Sequence, residues 1–268
     1  MRSPHGIRSL LLAGALAVML TGLVSAQAWV LAKVNFFLGE VGYKKAQSEE
    51  WSDIVLQQSL FAGDAVRTGA ESRLELKTSD EGLVVRIDEN SELEISTRSL
   101  QDWKGPGTRA TARRGRLWTN VRRMAADREN LTIETPTVLA AVRGTVFRID
   151  IPSDSTTVLR VYEGQMEVRD NPAPPPGSGA LREVDAPREI APPREVSPQQ
   201  WLELVSANEQ LVVTRGLTPV KSEFDPEADA RLDWVQWNQE RDREIARTPP
   251  PQPQPALPPG TAKRRRQR

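Results

Sequence analysis

The sequence predicts a mainly β protein: a sandwich-like or coiled β domain, followed by a proline-rich linker and a short helical C-terminal segment. Short stretches with alternating apolar and polar residues recur between residues 60 and 168, separated by turn residues. No helical period of ten residues lies between these stretches, so a parallel sheet with crossover helices is not expected. The strongest β signal spans residues 135–150 and is interrupted only by Gly144.

This central stretch consists of two alternating runs that meet at Arg143 and Gly144. Glycine tolerates dihedral angles and close backbone approach that other residues resist, so the pattern predicts a strand that turns a corner. The hydroxyl of Thr145 could then bond a backbone group at the break. The alternative, a ligand-binding loop formed by residues 143–145, is not preferred because corner glycines are ordinary in β folds. For Gly63 and Asp64 we likewise prefer a turn over a metal site.

The amino-acid composition restricts the kinds of catalytic and metal site that the chain can form. The chain of 268 residues is 38% hydrophobic and contains 21 prolines, which indicates a modest core with attached segments outside it. It contains no cysteine, and its single histidine is His5, near the N-terminus. This pattern excludes disulfides and disfavours Ser-His-Asp catalysis, Cys-His catalysis and the common zinc sites. Adjacent carboxylates such as Asp88 and Glu89 would point to opposite faces of a strand, so we expect no catalytic residue, no metal and no cofactor.

The first 28 residues are typical of a signal peptide. Arg2 and Arg8 precede an apolar run over residues 10–24, and small residues follow over 24–28. The alternative is a retained anchor, because the apolar stretch continues to Val34 and is long enough to span a bilayer and associate the protein with a membrane. Both interpretations predict export. An exported chain without cysteine is more typical of a bacterial periplasm or cell surface than of eukaryotic secretion.

Several segments, in order, resemble the FecR domain family. Residues 60–68 resemble its L..GD.V.T opening, and 72–76 resemble the strand that follows. Residues 88–95 resemble its hairpin, and 114–121 resemble its l..G.v...v strand. Residues 134–149 resemble tP.a...vrGT.F.v, and 161–168 resemble its closing V.eG.v.v. The ordered set covers about residues 36 to 170 and places the predicted β domain at residues 35–171. The positions that carry the motif, to which we assign structural roles, are Gly63, Asp64, Thr68, Gly115, Pro136, Arg143, Gly144, Thr145, Phe147 and Gly164.

This resemblance implies an exported, twisted and solenoid-like β domain. The family's prototype is a membrane-spanning regulator that relays an iron-siderophore signal from an outer-membrane receptor to a cytoplasmic sigma factor. Only nine residues precede Leu10 here, so a direct sigma-factor regulator is not expected. The expected function is instead a non-enzymatic binding or sensing module of the cell envelope. The alternative is a scaffolding envelope protein that binds peptidoglycan or another anionic glycan.

Basic residues cluster around Trp118. On a strand, Arg114, Arg116 and Arg122 would share the face of this indole, and arginine beside an aromatic ring could bind an anionic polymer. An envelope protein or an anionic cell-wall glycan is the expected partner, whereas export argues against nucleic acid. A solvated face balanced by acidic neighbours is the simpler interpretation, and we prefer it.

The C-terminal part divides into three. Residues 172–198 hold eight prolines and predict an extended linker. A helical segment is expected over 199–247, with starts at Ser197 and Asp225, although residues 211–214 could form a short strand. Trp234 and Trp237 lie in a segment that resembles a W..W...RD pattern of exported proteins carrying this domain, and we prefer packing over partner or glycan docking for them. Residues 248–268 form a proline-rich basic tail without predicted structure.

Overall fold

The computed structural model describes residues 30–78, 82–98, 107–121, 131–153, 155–171 and 201–247. Seventeen strands within these ranges form two sheets that enclose one hydrophobic core, and two helices follow near the C-terminal end. The predicted mainly β fold with a short helical C-terminal segment is therefore confirmed. The leader, the proline-rich linker and the basic tail lie outside the described residues, as does Arg122.

The strands follow one another in this order: β1 (Ala32–Leu38), β2 (Val41–Lys44), β3 (Trp51–Asp53), β4 (Ser59–Leu60), β5 (Asp64–Thr68), β6 (Arg73–Lys77), β7 (Leu83–Ile87), β8 (Glu92–Arg98), β9 (Gly107–Val121), β10 (Leu131–Glu134), β11 (Val138–Val142), β12 (Val146–Ser153), β13 (Thr156–Glu163), β14 (Gln165–Asp170), β15 (Leu202–Ser206), β16 (Glu209–Thr214) and β17 (Val220–Glu223). The helices are α1 (Pro226–Asp229) and α2 (Asp233–Arg247).

The two sheets share the long strand β9. Sheet 1 has the spatial order β4, β1, β6, β7, the second half of β9, β12, β13, β16 and β17. Sheet 2 has the order β3, β2, β5, β8, the first half of β9, β10, β11, β14 and β15. The pairing of β9 with β10 is parallel, and the other pairings named here are antiparallel. Side chains from both sheets meet in a single core cluster, which gives the domain its sandwich-like architecture.

The chain passes between the sheets at residues with positive φ. Nine crossings in the described part of the chain contain such a residue: Gly39, Gln57, Gly63, Glu71, Asn90, Gly115, Gly144, Gly164 and Asn208. At these positions the backbone leaves the extended conformation, so a strand that ends in one sheet can restart in the other. Apolar side chains therefore face the core both before and after the crossing, which a strand that continued without a turn could not achieve.

At two of these crossings the backbone of a neighbouring segment leaves no room for a side chain. A Cβ on Gly115, whose φ is +97°, would lie 2.5 Å from the Cα of Ser91. A Cβ on Gly164, whose φ is +80°, would collide with the carbonyl oxygen of Gly144 and lie 3.2 Å from the Cα of Thr145. The neighbouring crossings are thus packed backbone against backbone, and glycine is required for both conformation and space.

The stretch around Gly144 is one of these corners. Strand β11 before it belongs to sheet 2 and β12 after it belongs to sheet 1, while φ of Gly144 is +60°. The hydroxyl of Thr145 lies 2.8 Å from the carbonyl oxygen of Gln165 and 3.1 Å from that of Arg143. It therefore provides a hydrogen-bond donor at the point where the ladder is interrupted.

The helix expected from Ser197 does not continue into the described residues. Residues 202–206 instead form β15, which pairs with β14, and residues 209–214 form β16, which pairs with β13. Leu204 and Val205 fit a helical spacing, but as strand neighbours Val205 faces the core and Leu204 faces solvent. Burial against the sandwich thus outweighs the local helix signal. The second predicted start is present: the side chain of Asp225 accepts a hydrogen bond from the backbone N–H of Glu227.

None of the helices in the described part of the chain is long and apolar enough to cross a membrane.

Gly164→Ala tests the close contact between the crossings, with Gly216→Ala as the matched control. Both glycines have positive φ, but a Cβ on Gly216 would meet nothing within 4 Å. We expect Gly216→Ala to lower the free energy of unfolding by about 1 kcal/mol, the cost of the left-handed conformation. Gly164→Ala should cost roughly 1–3 kcal/mol more because the backbone must also shift. Equal losses in urea unfolding would show that the backbone contact is unimportant.

Candidate functional site

The outer face of sheet 1 carries a row of charged and aromatic side chains. The strand register aligns Phe36 with Glu75, Glu75 with Arg86, Arg86 with Trp118, Trp118 with Arg148 and Arg148 with Arg160. Flanking residues such as Leu117 and Phe147 point into the core, so the row points away from it. We call these six residues the outer row.

The centre of the outer row is shielded from solvent. Glu75 and Arg86 are 0% exposed, Trp118 is 1% exposed and Arg148 is 4% exposed. The cover is residues 225–247, which contain both helices and which we call the helical cap. Trp234, Val235 and Asn238 of the cap are themselves buried.

Charged hydrogen bonds join the outer row to the cap. Glu75 accepts from Arg86 Nε at 2.6 Å and from Arg241 Nε at 2.9 Å. Arg86 Nη1 donates to Asp242 Oδ1 at 2.7 Å, and the indole N–H of Trp118 donates to Asp242 Oδ2 at 2.9 Å. Every member of this chain of contacts has an oppositely charged or polar partner, as burial of charge requires.

The two guanidinium groups control the protonation of Glu75. Burial on its own would raise the pKa of this carboxyl group, but the hydrogen bonds and charges of Arg241 and Arg86 outweigh burial and lower the pKa to about 2. Glu75 therefore remains ionised at neutral pH and holds both arginines in place.

A second polar cluster lies further along the row. Arg148 contacts Asp229 of the cap at 2.8 Å and Asp150 at 3.1 Å, and Arg160 also contacts Asp150, at 2.6 Å. The hydroxyl of Tyr162 donates to Asp229. Burial and the bond to Asp229 raise the pKa of Tyr162 well above its ordinary value, so its hydroxyl remains a hydrogen-bond donor.

Aromatic and cationic groups alternate beneath α2. The rings of Trp234 and Trp237 are stacked with centroids 5.4 Å apart. The guanidinium carbons of Arg73, Arg241 and Arg86 lie 5.0, 5.2 and 5.9 Å from the Trp237 ring centroid. Cation–π contacts of this kind are strengthened by partial desolvation.

A cavity of about 680 Å³ lies where the last turns of α2 pass the Gly144 corner. Its lining includes Asn120, Tyr162 and Glu163 of the sheet and Gln239 and Arg243 of the helix. The sequence motif around Gly144 and the C-terminal helix, which are about one hundred residues apart in the chain, thus border the same space.

A separate open groove of about 730 Å³ lies at the outer face of sheet 2. Its lining includes Trp51, Ser52, Arg67, Asn90 and Arg114. The Arg67 guanidinium lies 4.3 Å from the Trp51 ring centroid, and in the described part of the chain no carboxylate lies within ion-pair distance of it.

Glycine shapes the floor of this groove. A Cβ at Gly42 would lie 3.1 Å from Arg67 Nε and 3.2 Å from Trp51 Cε3, so the bare backbone leaves space for the two side chains to stack. The side chain of Arg114 is 63% exposed and lies 3.8 Å from Glu92. Glu40 and Asp53 also line the groove, which therefore presents cationic, acidic, aromatic and amide groups to solvent.

The basic cluster predicted around Trp118 is divided by the bend at Gly115. Arg114 lies on sheet 2 and lines the groove, whereas Arg116 and Trp118 lie on sheet 1. Arg116 Nη2 is 2.7 Å from Asp88 Oδ2. Trp118 is covered by the cap and does not share a surface with Arg114.

Trp234 and Trp237 both lie in the cap. Trp234 is 3% exposed and Trp237 is half-buried, and both pack on the outer face of sheet 1. Together with Arg241 and Asp242 they form the W..W...RD segment, and all four side chains contact sheet 1.

Other motif residues stabilise turns. The carboxylate of Asp64 accepts hydrogen bonds from the Tyr43 hydroxyl and from the backbone N–H groups of Ala46 and Phe61, at 2.9–3.0 Å. Gly63 precedes it with φ of +88°. The hydroxyl of Thr68 donates to the carbonyl oxygen of Asp88. These hydrogen bonds stabilise the turns at which Asp64 and Thr68 lie.

The remaining motif residues belong to the hairpin and corner of the central stretch. The carbonyl of Pro136, between β10 and β11, accepts a hydrogen bond from Arg215 at 2.7 Å. Arg143 is exposed at the corner, and Phe147 is fully buried in the core. Among the described residues, no group of three His, Cys, Asp or Glu side chains could hold a metal ion.

The charged members of the outer row were not among the sequence-predicted site residues. Arg86 and Arg148 each lie between two apolar residues, as outward-facing charges of a solvated strand do. The sequence feature that indicates these residues is the position of Arg241 and Asp242 close to the two tryptophans. Charged residues beside an apolar helix face indicate charged or polar partners on the surface against which the helix packs.

The protonation of Glu75 makes docking of the cap sensitive to acid. Because its pKa is lowered from 4.5 to about 2 in the folded protein, Glu75 stabilises the fold fully above pH 4.5, and this contribution is lost as pH falls towards 2. Glu75→Gln should cost on the order of 3 kcal/mol at pH 7. In urea unfolding followed by tryptophan fluorescence, the difference between the two proteins should shrink between pH 4.5 and 2. A constant difference over that range would contradict the assignment.

Comparison with known proteins agrees with the order of the motifs. The family model for FecR protein matches residues 64–167. Two crystal structures of a candidate anti-sigma factor from Parabacteroides distasonis ATCC 8503, at 1.65 and 2.50 Å resolution, each share 16% identity with the chain, with TM-scores of 0.42 and 0.40. The match covers 64% of both chains in the first case and 60% in the second, so this chain spans under two thirds of either structure. None of the curated proteins compared with the chain matches it. The predicted resemblance to the FecR domain family is confirmed: residues 64–167 match that family's model.

Proposed function

We propose that this protein is a non-enzymatic, exported module of the FecR type that binds or senses a component of the bacterial cell envelope. The FecR domain supports a regulatory signalling role, and the features of the leader support export to the periplasm or cell surface. The module acts through binding surfaces, without a catalytic residue or a cofactor.

The observation that carries this proposal is the open groove on sheet 2. Arg67 and Arg114 supply cationic donors, Trp51 supplies an indole, and Asn90 and Ser52 supply polar groups. The carboxylates of Glu40 and Asp53 line the same space and can accept hydrogen bonds from a ligand. Few apolar residues line this space, which suits a hydrated polar ligand more than an apolar one. Stacking on Trp51 holds Arg67 while its guanidinium lacks a carboxylate partner among the described residues, so its N–H groups can receive an anionic ligand.

The same groove favours a second candidate function, a scaffolding protein that binds peptidoglycan or another anionic glycan. Sugar rings stack on indoles, and carboxylate groups of glycans pair with arginine. In this role the FecR domain would attach the protein to the cell wall instead of receiving a signal.

The first test places a photo-crosslinking amino acid in the groove at Ser52, in the full chain, in bacterial cells. We expect the protein in the envelope fraction, and adducts that form at Ser52 but not at Arg113, an exposed residue outside the groove lining. Mass spectrometry of the adducts identifies the bound component. Recovery of the protein from the cytoplasmic fraction, or equal adducts at both positions, would contradict the proposal.

The second test separates the glycan-binding function from sensing. Purified sacculi are sedimented with the wild-type protein, with Arg67→Ala and with Arg113→Ala as the matched surface control. Binding to the wall should weaken about tenfold for Arg67→Ala, equivalent to about 1.4 kcal/mol, and remain unchanged for Arg113→Ala. Absence of wild-type sedimentation would reject the scaffold and leave the sensing module as the proposed function.

A further inference from the structure

Without the helical cap, the outer face of sheet 1 would expose four arginines and two aromatic side chains, with Glu75 and Asp150 as the carboxylates of the sheet among them. Arg73, Arg86, Arg148 and Arg160 lie on this face, and Trp118 and Tyr162 lie among them. The cap brings three carboxylates to these groups: Asp242 to Arg86, Asp229 to Arg148 and Asp233 to Arg73. The cap is thus complementary in charge to the face on which it lies.

The contact between the cap and the sheet combines a small apolar cluster with an extensive set of charged groups. Trp234 and Val235 pack in an apolar cluster with Trp118 of the row, and the ring centroid of Trp237 lies 5.9 Å from that of Phe36. Ion pairs, hydrogen bonds and arginine–indole contacts surround these apolar contacts. An apolar interface of the same size would be at least as stable, because burial of an ion pair costs desolvation energy. Buried charges of this kind confer specificity for a partner of defined chemistry, and polar interfaces of moderate size permit relative motion.

We infer that the outer face of sheet 1 is a docking surface for an acidic, tryptophan-bearing helix, which the helical cap occupies in cis. A helix of the same chemistry from a partner protein binds this surface when the cap lifts. This interaction surface is separate from the groove on sheet 2, and the inference does not depend on the ligand proposed there.

The cap shows how a partner helix is recognised. In the cap, the Asp242 carboxylate accepts hydrogen bonds from Arg86 Nη1 at 2.7 Å and from the indole N–H of Trp118 at 2.9 Å. A carboxylate of the partner helix takes this position. Trp237, five residues before Asp242, lies against the guanidinium groups of Arg73 and Arg86. An indole of the partner helix takes this second position. A residue pair of this spacing lies within two helical turns.

Thiol labelling tests whether the cap lifts. The chain contains no cysteine, so a single introduced thiol reports on its own position. Val235→Cys places a thiol in the buried cap interface, and Val161→Cys places one in the sandwich core as the control. At neutral pH we expect the thiol at 235 to react with a maleimide reagent at least tenfold faster than the thiol at 161. Equal rates would show that the cap opens only on global unfolding, and would overturn the inference.

Peptide binding tests whether the exposed face is a docking surface. The probe is a fluorescein-labelled peptide of residues 224–247, added to the full chain. It should bind a chain carrying Trp237→Ala and Asp242→Asn at least tenfold more tightly than the wild-type chain, because those substitutions loosen the cap in cis. The same peptide with Trp237→Ala and Asp242→Asn should bind neither chain.

Continued protection of the thiol at 161 verifies that the sandwich of the double variant remains folded. Should that thiol become reactive, Arg241→Ala is the alternative variant, since it removes the two hydrogen bonds of Arg241 to Glu75 and leaves Asp242 in place. Equal peptide affinity for the wild-type and the loosened chain, or equal affinity of the two peptides, would overturn the inference.

Discussion

The structure depends on the close backbone packing of the crossings between the two sheets. Each strand can keep its apolar residues in one core only if the chain rotates as it passes from sheet to sheet, and the residues with positive φ provide that rotation. At Gly115 and Gly164 the neighbouring chain lies so close that a Cβ has no space. The motif glycines of the FecR domain are therefore the residues that make a two-layer fold possible, and they are needed before any surface can bind.

Outside the core, the outer face of sheet 1 contains the charged side chains whose burial requires compensating partners. An arginine between two core residues must point outward, and such a residue ordinarily remains in solvent. Here Arg86 is fully buried, because the helical cap returns to cover it and supplies Asp242 as its partner. Ionised Glu75 links Arg86 with Arg241, so that the sheet and the cap form one electrostatic unit. The same charges that make docking specific also make it responsive to acid.

The two outer faces therefore differ in their availability. The groove on sheet 2 is open and presents Arg67 on the Trp51 ring to solvent, which suits contact with a polar ligand. The face of sheet 1 is closed by a segment of the same chain whose acidic and aromatic groups match it. The groove proposed to bind a ligand and the surface proposed to bind a partner helix therefore lie on different sheets of the sandwich.

The sequence by itself determined the β architecture, the corner at Gly144 and the turn roles of residues such as Asp64, because these follow from local alternation and from the conformational demands of glycine and short polar side chains. The strand at residues 202–206 could not be predicted, since its helical and strand patterns coincide until β14 is available for pairing. Burial of Arg86 and Trp118 was also decided only by the tertiary structure. Their alternation shows which way they point, but the helix that covers them is more than a hundred residues away in the chain, and only folding brings its carboxylates into contact.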